Sequence, residues 1–135
     1  MIVERGLLDT STVILLGRAD VAALPEDCAI SAITLAELSA GPLVAATDAD
    51  RAARQAHLQQ AEADFEVVPF DDAAARAFGL VAAALRASGR KPAARAYDAL
   101  IAATAIAHGL PLFTANTADF AGIDALDLRP VPLVE

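Results

Sequence analysis

Short apolar runs alternate along this chain with longer, alanine-rich segments of helical period, and that alternation limits the fold more than any other feature. The runs are Leu7-Leu8, Cys28-Ala29-Ile30, Glu66-Val67-Val68, Leu112-Phe113 and Leu128 to Val131. Between them lie helical candidates at Ser11 to Leu16, Thr34 to Ala40, Asp48 to Phe65, Asp72 to Ala87 and Arg95 to His108. Strand-sized runs separated by helix-sized segments are the pattern of βαβ units. The expected fold class is therefore α/β, a central, mostly parallel sheet flanked by helices. Punctuation supports the boundaries: Gly41-Pro42, Ser88-Gly89 and Gly109-Leu110-Pro111 stand just past helix ends, where glycine accepts a left-handed conformation and proline stops continuation. Asp71-Asp72 offers an N-cap to the fourth helix.

With 135 residues, the chain is expected to form one domain over residues 1–135 and to bury enough apolar surface without staples. Cys28 has no second cysteine to pair with, and His57 and His108 are too isolated to complete a zinc set. The start, Met1-Ile2-Val3-Glu4-Arg5-Gly6, lacks the basic-then-apolar order of a signal peptide, and charges break every apolar stretch before membrane-spanning length. A cytoplasmic protein with no membrane association is expected.

A net charge of −8 argues, by itself, against nucleic acid, since cationic side chains supply most non-specific affinity for phosphate. The distribution matters more than the sum. No Asp or Glu falls between Ala73 and Tyr97, whereas Arg76, Arg86, Arg90, Lys91 and Arg95, five of the ten basic residues, all do. A local basic surface is one reading; solvated helix and loop charges are the other.

In open α/β sheets, sites form beyond the carboxyl ends of the strands. Four segments bring polar groups there: Asp9-Thr10-Ser11 after the first strand, Ser31 to Leu38 with Glu37 after the second, Tyr97-Asp98 at the start of the last helix, and Thr114 to Phe120 with Asn116 and Asp119. The helix from Asp98 to Ala107 is otherwise almost wholly apolar, so the single acid at its start calls for explanation. Taken singly, each polar group has a local explanation. Asp9, Thr10 and Ser11 can cap a helix, and Thr34-x-x-Glu37 matches a capping box. Asp98 can satisfy a helix dipole, Asn116 and Asp119 can fix a turn, and Thr114 has a local hydrogen-bonding role. Taken together, carboxylates gathered in an apolar setting repel unless a cation or protons neutralise them. Oxygen ligands without His or Cys suit Mg²⁺ or Mn²⁺.

The motifs Leu8-Asp9-Thr10-Ser11, Thr34-Leu35-Ala36-Glu37-Leu38-Ser39-Ala40-Gly41, Asp98-Ala99-Leu100-Ile101-Ala102-Ala103-Thr104-Ala105 and Thr114-Ala115-Asn116-Thr117-Ala118-Asp119-Phe120, in this order and spacing, resemble the PIN-domain nucleases. The resemblance is specifically to the VapC-type toxins of bacterial toxin–antitoxin pairs, and it spans essentially the whole chain. It implies a PIN-like three-layer sandwich and Mg²⁺-dependent hydrolysis of RNA phosphodiesters that leaves a 5′-phosphate and a 3′-hydroxyl. It further implies a homodimer and an antitoxin partner that blocks the site. Asp9, Glu37 and Asp98 would be the principal acids, Glu37 either ligating metal or orienting water. Relatives often carry acids at the positions of both Asn116 and Asp119, so Asp119 becomes the fourth carboxylate and Asn116 a residue orienting water. Thr10, Ser11 and Thr114 would support them. Apart from the resemblance, the acid-free setting of Arg86, Arg90, Lys91 and Arg95 suggests that they position RNA phosphates next to the Asp98 helix. Two rivals remain: a metal-dependent phosphatase for small esters, and a phospho-accepting signalling domain, for which Lys91 is the only lysine available.

Overall fold

The computed structural model describes residues 3–91 and 95–134. Its element order is β1 (Arg5–Leu8), α1 (Thr10–Ile14), β2 (Asp27–Ser31), α2 (Ala32–Ala40), α3 (Asp48–Asp64), β3 (Glu66–Val68), α4 (Asp72–Ala87), α5 (Ala96–Ala107), β4 (Leu112–Thr114) and β5 (Leu128–Pro130), with short 3₁₀ turns between several of them. The five strands form one sheet in the order β3-β2-β1-β4-β5, and every neighbouring pair is parallel.

Residues that alternate along the central strand face opposite layers, as the period of two in a strand requires. Leu7, opposite Ala29 and Leu112, joins a core with Val81 and Leu85 of α4 and Ile101 of α5. Leu8, opposite Ile30 and Phe113, joins a second core with Val13 of α1, Leu38 of α2 and Ala61 of α3. The result is helix–sheet–helix, the three layers expected. Both faces of the sheet are covered, which explains why the strands read as unbroken apolar runs. Gly6 is a packing requirement: a Cβ there would collide with the Phe113 ring.

Helix boundaries follow local chemistry. Asp71 caps α4 by accepting from Ala74 N at 2.9 Å. Gly89 and Gly109 adopt positive φ of 83° and 64° just past α4 and α5, as expected. Gly41 does not: its φ of −50° and ψ of −55° are right-handed helical. The chain runs on into a 3₁₀ turn, Pro42–Val44, with proline at its first position. A residue before proline normally avoids this region because its Cβ meets the proline ring, so the missing Cβ, not access to left-handed space, is what Gly41 contributes. Among the described residues no helix is long and apolar enough to cross a membrane.

From β1 the chain moves outward through β2 to β3, then crosses back to place β4 and β5 on the opposite side of β1. That reversal leaves a crevice at the carboxyl ends of β1 and β4, where open α/β sheets build their sites.

Candidate functional site

Asp9 follows β1 directly and is 3% exposed. It is the N-cap of α1, accepting from Thr12 N at 3.2 Å, so the capping explanation holds for it. Capping is only part of its environment. Its Oδ1 also accepts from Thr12 Oγ1, and its Oδ2 from Ser11 Oγ at 3.0 Å and Thr114 Oγ1 at 2.9 Å. Thr12 Oγ1 in turn accepts from Ala115 N at 2.9 Å, and Thr114 Oγ1 accepts from Asn116 N at 3.0 Å. Two buried hydroxyls thus tie the ends of β1 and β4 to one carboxylate. Four donors converge on this buried acid and fix its orientation.

Glu37 lies past the first turn of α2. The N-cap of α2 is Ser31, whose Oγ accepts from Thr34 N at 3.0 Å. The capping box expected from Thr34-x-x-Glu37 is therefore absent, because the helix starts three residues earlier and Thr34 is inside it. With no cap to serve, Glu37 Oε1 accepts from Thr10 Oγ1 at 2.7 Å, and Thr10 Oγ1 also bonds Thr34 Oγ1 at 3.0 Å. Burial and the charge of Asp9 push the Glu37 carboxyl above its ordinary range, against the Thr10 hydrogen bond, which pulls it down.

Asp98 stands in the first turn of α5. Burial first, then the charges of Asp119, Asp9 and Glu37, raise its pKa from 3.8 to about 6, with Arg95 opposing them. The four acids, taken from four separate segments, therefore face a common space strongly enough to repel. Asp119 is drawn aside within it: Arg95 Nη1 donates to its Oδ1 at 2.7 Å and Asn116 Nδ2 to its Oδ2 at 2.9 Å. Arg95 Nη1 also lies 3.8 Å from Asp98. Among the described residues no three His, Cys, Asp or Glu side chains stand close enough to share a metal ion. The donor set itself fits a hard divalent cation, since it is all oxygen and the charges of Asp119, Asp9 and Glu37 raise the Asp98 carboxyl.

The basic candidates divide. Arg95 is engaged with the acids rather than facing away from them, and Arg90 Nη1 donates to Ala118 O at 3.2 Å beside Asp119. Arg86, in the last turn of α4, and Lys91 are exposed. The sequence reading missed Ser31, although a serine directly after a strand is a standard N-cap signal. It also missed Thr12, which only the spatial approach of β4 makes significant.

The family model for the PIN domain matches residues 7–126. Over 122 residues, 88% of this chain and 87% of the relative, the sequence is 43% identical to Ribonuclease VapC5 of Mycobacterium tuberculosis. Among solved structures, a member of the VapBC family of toxin–antitoxin systems, VapBC-5 from M. tuberculosis, superposes with a TM-score of 0.81 at 38% identity, covering 93% of this chain and 98% of that one. VapBC2 from Rickettsia felis, bound to a DNA fragment from its promoter, superposes with a TM-score of 0.74 at 25% identity, covering 93% and 98%. A match of this extent to the domain, joined to the acid cluster at the crevice beside β1, places the chain in the PIN-domain family, among the VapC proteins.

Proposed function

We propose that this chain is a metal-dependent endoribonuclease, the toxin of a type II toxin–antitoxin pair, which restrains translation and growth by hydrolysing RNA. The observation that carries the reading is the acid cluster: four carboxylates, from segments as far apart as residues 9 and 119, set so that Asp98 is pushed to about 6. Likeness to Ribonuclease VapC5 and to the VapBC complexes supports it, as does the metal dependence general among PIN-domain ribonucleases. Residues 1–135 act as one nuclease domain in the cytoplasm, as a homodimer. A protein partner inhibits by covering the acidic crevice.

Asp9, Asp98 and Asp119, which stand too far apart here to share an ion, would be drawn together to hold the cation, which we assign as Mg²⁺ with Mn²⁺ as a substitute. When bound, it neutralises the carboxylates, stabilises charge building on the phosphate and makes nearby water more acidic. Asp9 supplies a carboxylate of fixed orientation, because Thr12, Ser11 and Thr114 leave it no freedom to rotate. Glu37 uses Oε1 to accept from Thr10 and so keeps Oε2 for the attacking water, whose proton its raised pKa equips it to take. Asn116 holds Asp119. Arg86, Arg90, Lys91 and Arg95 bind RNA phosphates along the edge of the crevice.

The test is purified protein with Mg²⁺ and a structured RNA, followed by sequencing of the ends produced. Scission that disappears with chelator and with Asp98→Asn supports the reading. Intact RNA with turnover of p-nitrophenyl phosphate, or a stable acyl phosphate formed from acetyl phosphate, would replace it with one of the two rivals.

A further inference from the structure

A cavity of ≈ 400 Å³ opens directly beside the acid cluster, between α1, α2 and α3. Thr10 and Glu37 form part of its wall, so it is continuous with the centre already described. The rest of its lining includes Ile14, Leu38, Arg54 and His57. Past Ile14 and His57, which line both, a second cavity of ≈ 480 Å³ continues along α1 as far as Arg18. Ile14 is 45% exposed, an apolar side chain left at the surface where the two cavities meet. From the rest of the reaction geometry, nothing requires either His57 or Ile14.

From this arrangement we infer that the first cavity is a nucleobase subsite, which takes the unstacked base of the RNA nucleotide next to the scissile phosphate and holds it at His57 and Ile14. The inference rests on the ribonuclease reading above. Its volume falls within the range of small-ligand pockets, and the mix of apolar lining with a few polar groups is typical of them. Charge selects the occupant. Asp50 is neutralised by Arg54 at 3.1 Å, and the Arg54 guanidinium is further committed to Gly41 O at 3.1 Å, so no cation here is available for phosphate. Glu37 repels one. An uncharged planar heterocycle suits an apolar floor, an imidazole and carboxylate or hydroxyl acceptors. Single-stranded RNA is read in this way, by splaying a base onto an aromatic or histidine face and bonding its edge. Because Glu37 belongs to both the wall and the reacting centre, a base seated here is tethered to the phosphate under attack. The sugar–phosphate chain leaving it would run along the second cavity toward the exposed Arg18.

The experiment uses the full chain with Mg²⁺ and a short RNA that it cleaves. The same RNA is also prepared with an abasic ribose on one side or the other of the scissile bond. His57→Ala, at a half-buried surface position, should lower kcat/KM roughly tenfold on intact RNA, the loss expected for one stacked base, with its melting temperature unchanged. Ile14→Ser should do the same. One of the two abasic RNAs should lose a similar factor with the wild-type protein, and His57→Ala should cost nothing more on that substrate, because variant and abasic site remove the same interaction. Losses that multiply, or His57→Ala and Ile14→Ser proteins cleaving as the wild type does, would overturn the subsite while leaving the nuclease standing. The latter result overturns it even if those variants escape inhibition by a protein partner, since the groove would then be a protein-docking surface. Wild-type protein that cleaves no RNA would fail the ribonuclease reading itself, and the subsite with it.

Discussion

Asp9 and Asp98 are two acids of one crevice, and they are held in opposite ways. Asp9 is almost fully buried yet surrounded by donors: a backbone amide and three hydroxyls, two of them reaching it from residues that are themselves buried. Asp98 is less buried, has one distant arginine and faces three other carboxylates, and its pKa rises to about 6. Burial is the first cause of the rise at Asp98 and its acidic neighbours the next, with only Arg95 to offset them. The contrast also separates tasks. Asp9 is built into the joint between β1 and β4, whereas Asp98 stores repulsion that binding of a cation would release.

The largest expected effect lies at Asp98. Asp98→Asn is nearly isosteric and should reduce RNA cleavage by about a thousandfold or more, on the scale seen when a charge-stabilising group is lost from an active site. Stability should move the other way. A carboxyl whose folded pKa is raised from 3.8 to about 6 binds its proton more tightly in the folded state, so its unfavourable contribution is absent below 3.8. It grows between 3.8 and 6 and is complete above. Metal-free Asp98→Asn protein should thus melt higher than wild type at pH 7.5 and no higher at pH 3.5. Equal melting temperatures at pH 7.5 would mean that Asp98 carries no strain, and the contrast with Asp9 would fail.

Asp9 should behave in the opposite manner. Asp9→Ala leaves Thr12 N, Thr12 Oγ1 and Thr114 Oγ1 without their acceptor at buried positions, and each unsatisfied group costs on the order of 1–3 kcal/mol. A loss of about 3 kcal/mol or more in urea unfolding is expected, independent of metal. A protein that loses cleavage but keeps wild-type stability would make Asp9 an acid like Asp98, not a structural joint.

Glu37 lies between these extremes, with one donor and a modestly raised pKa. Since Ser31 caps α2, Glu37→Gln has no cap to disturb. Cleavage should fall about a hundredfold, roughly 3 kcal/mol in the barrier, with unfolding unchanged. A folded Glu37→Gln protein cleaving at the wild-type rate would remove Glu37 from the chemistry.

How much of this was legible beforehand varies with the range of the interaction responsible. All five strands and five helices could be placed from periodicity, because burial on both faces of a parallel sheet writes itself into local runs such as Leu7-Leu8 and Leu112-Phe113. Asp9, Glu37, Asp98 and Asp119 were legible as acids following strands or opening an apolar helix. The start of α2 was misplaced because Thr34 and Glu37 satisfy a capping pattern that Ser31 satisfies first, and the strand end at Ser31 decides between them. Thr12 could not be found, since Ala115, 103 residues later, gives its hydroxyl a second task. The pairing of Asp119 with Arg95 was hidden for the same reason. Side chains 24 residues apart in sequence meet only because α5 and the turn after β4 lie together.

The smallest effect expected separates the cations that touch the acids from those that do not. Arg86 and Lys91 are exposed and can act on RNA only through phosphate, so replacing both with Gln should weaken binding across RNA sequences alike. The slope of log affinity against log salt should flatten by roughly one to two contacts. Arg95 has a further role: its guanidinium lies against Asp119 and holds the Asp98 pKa down. Arg95→Gln should therefore flatten the slope by about one contact and also raise the pH at which Asp98 in metal-free protein loses its proton, a shift readable by NMR titration of its carboxyl carbon. Arg86→Gln and Lys91→Gln should leave that titration where it is. If Arg95→Gln flattened the salt dependence with the Asp98 titration unmoved, Arg95 would be one more phosphate contact, and the repulsion at Asp98 would come from burial and its acidic neighbours without a cation opposing it.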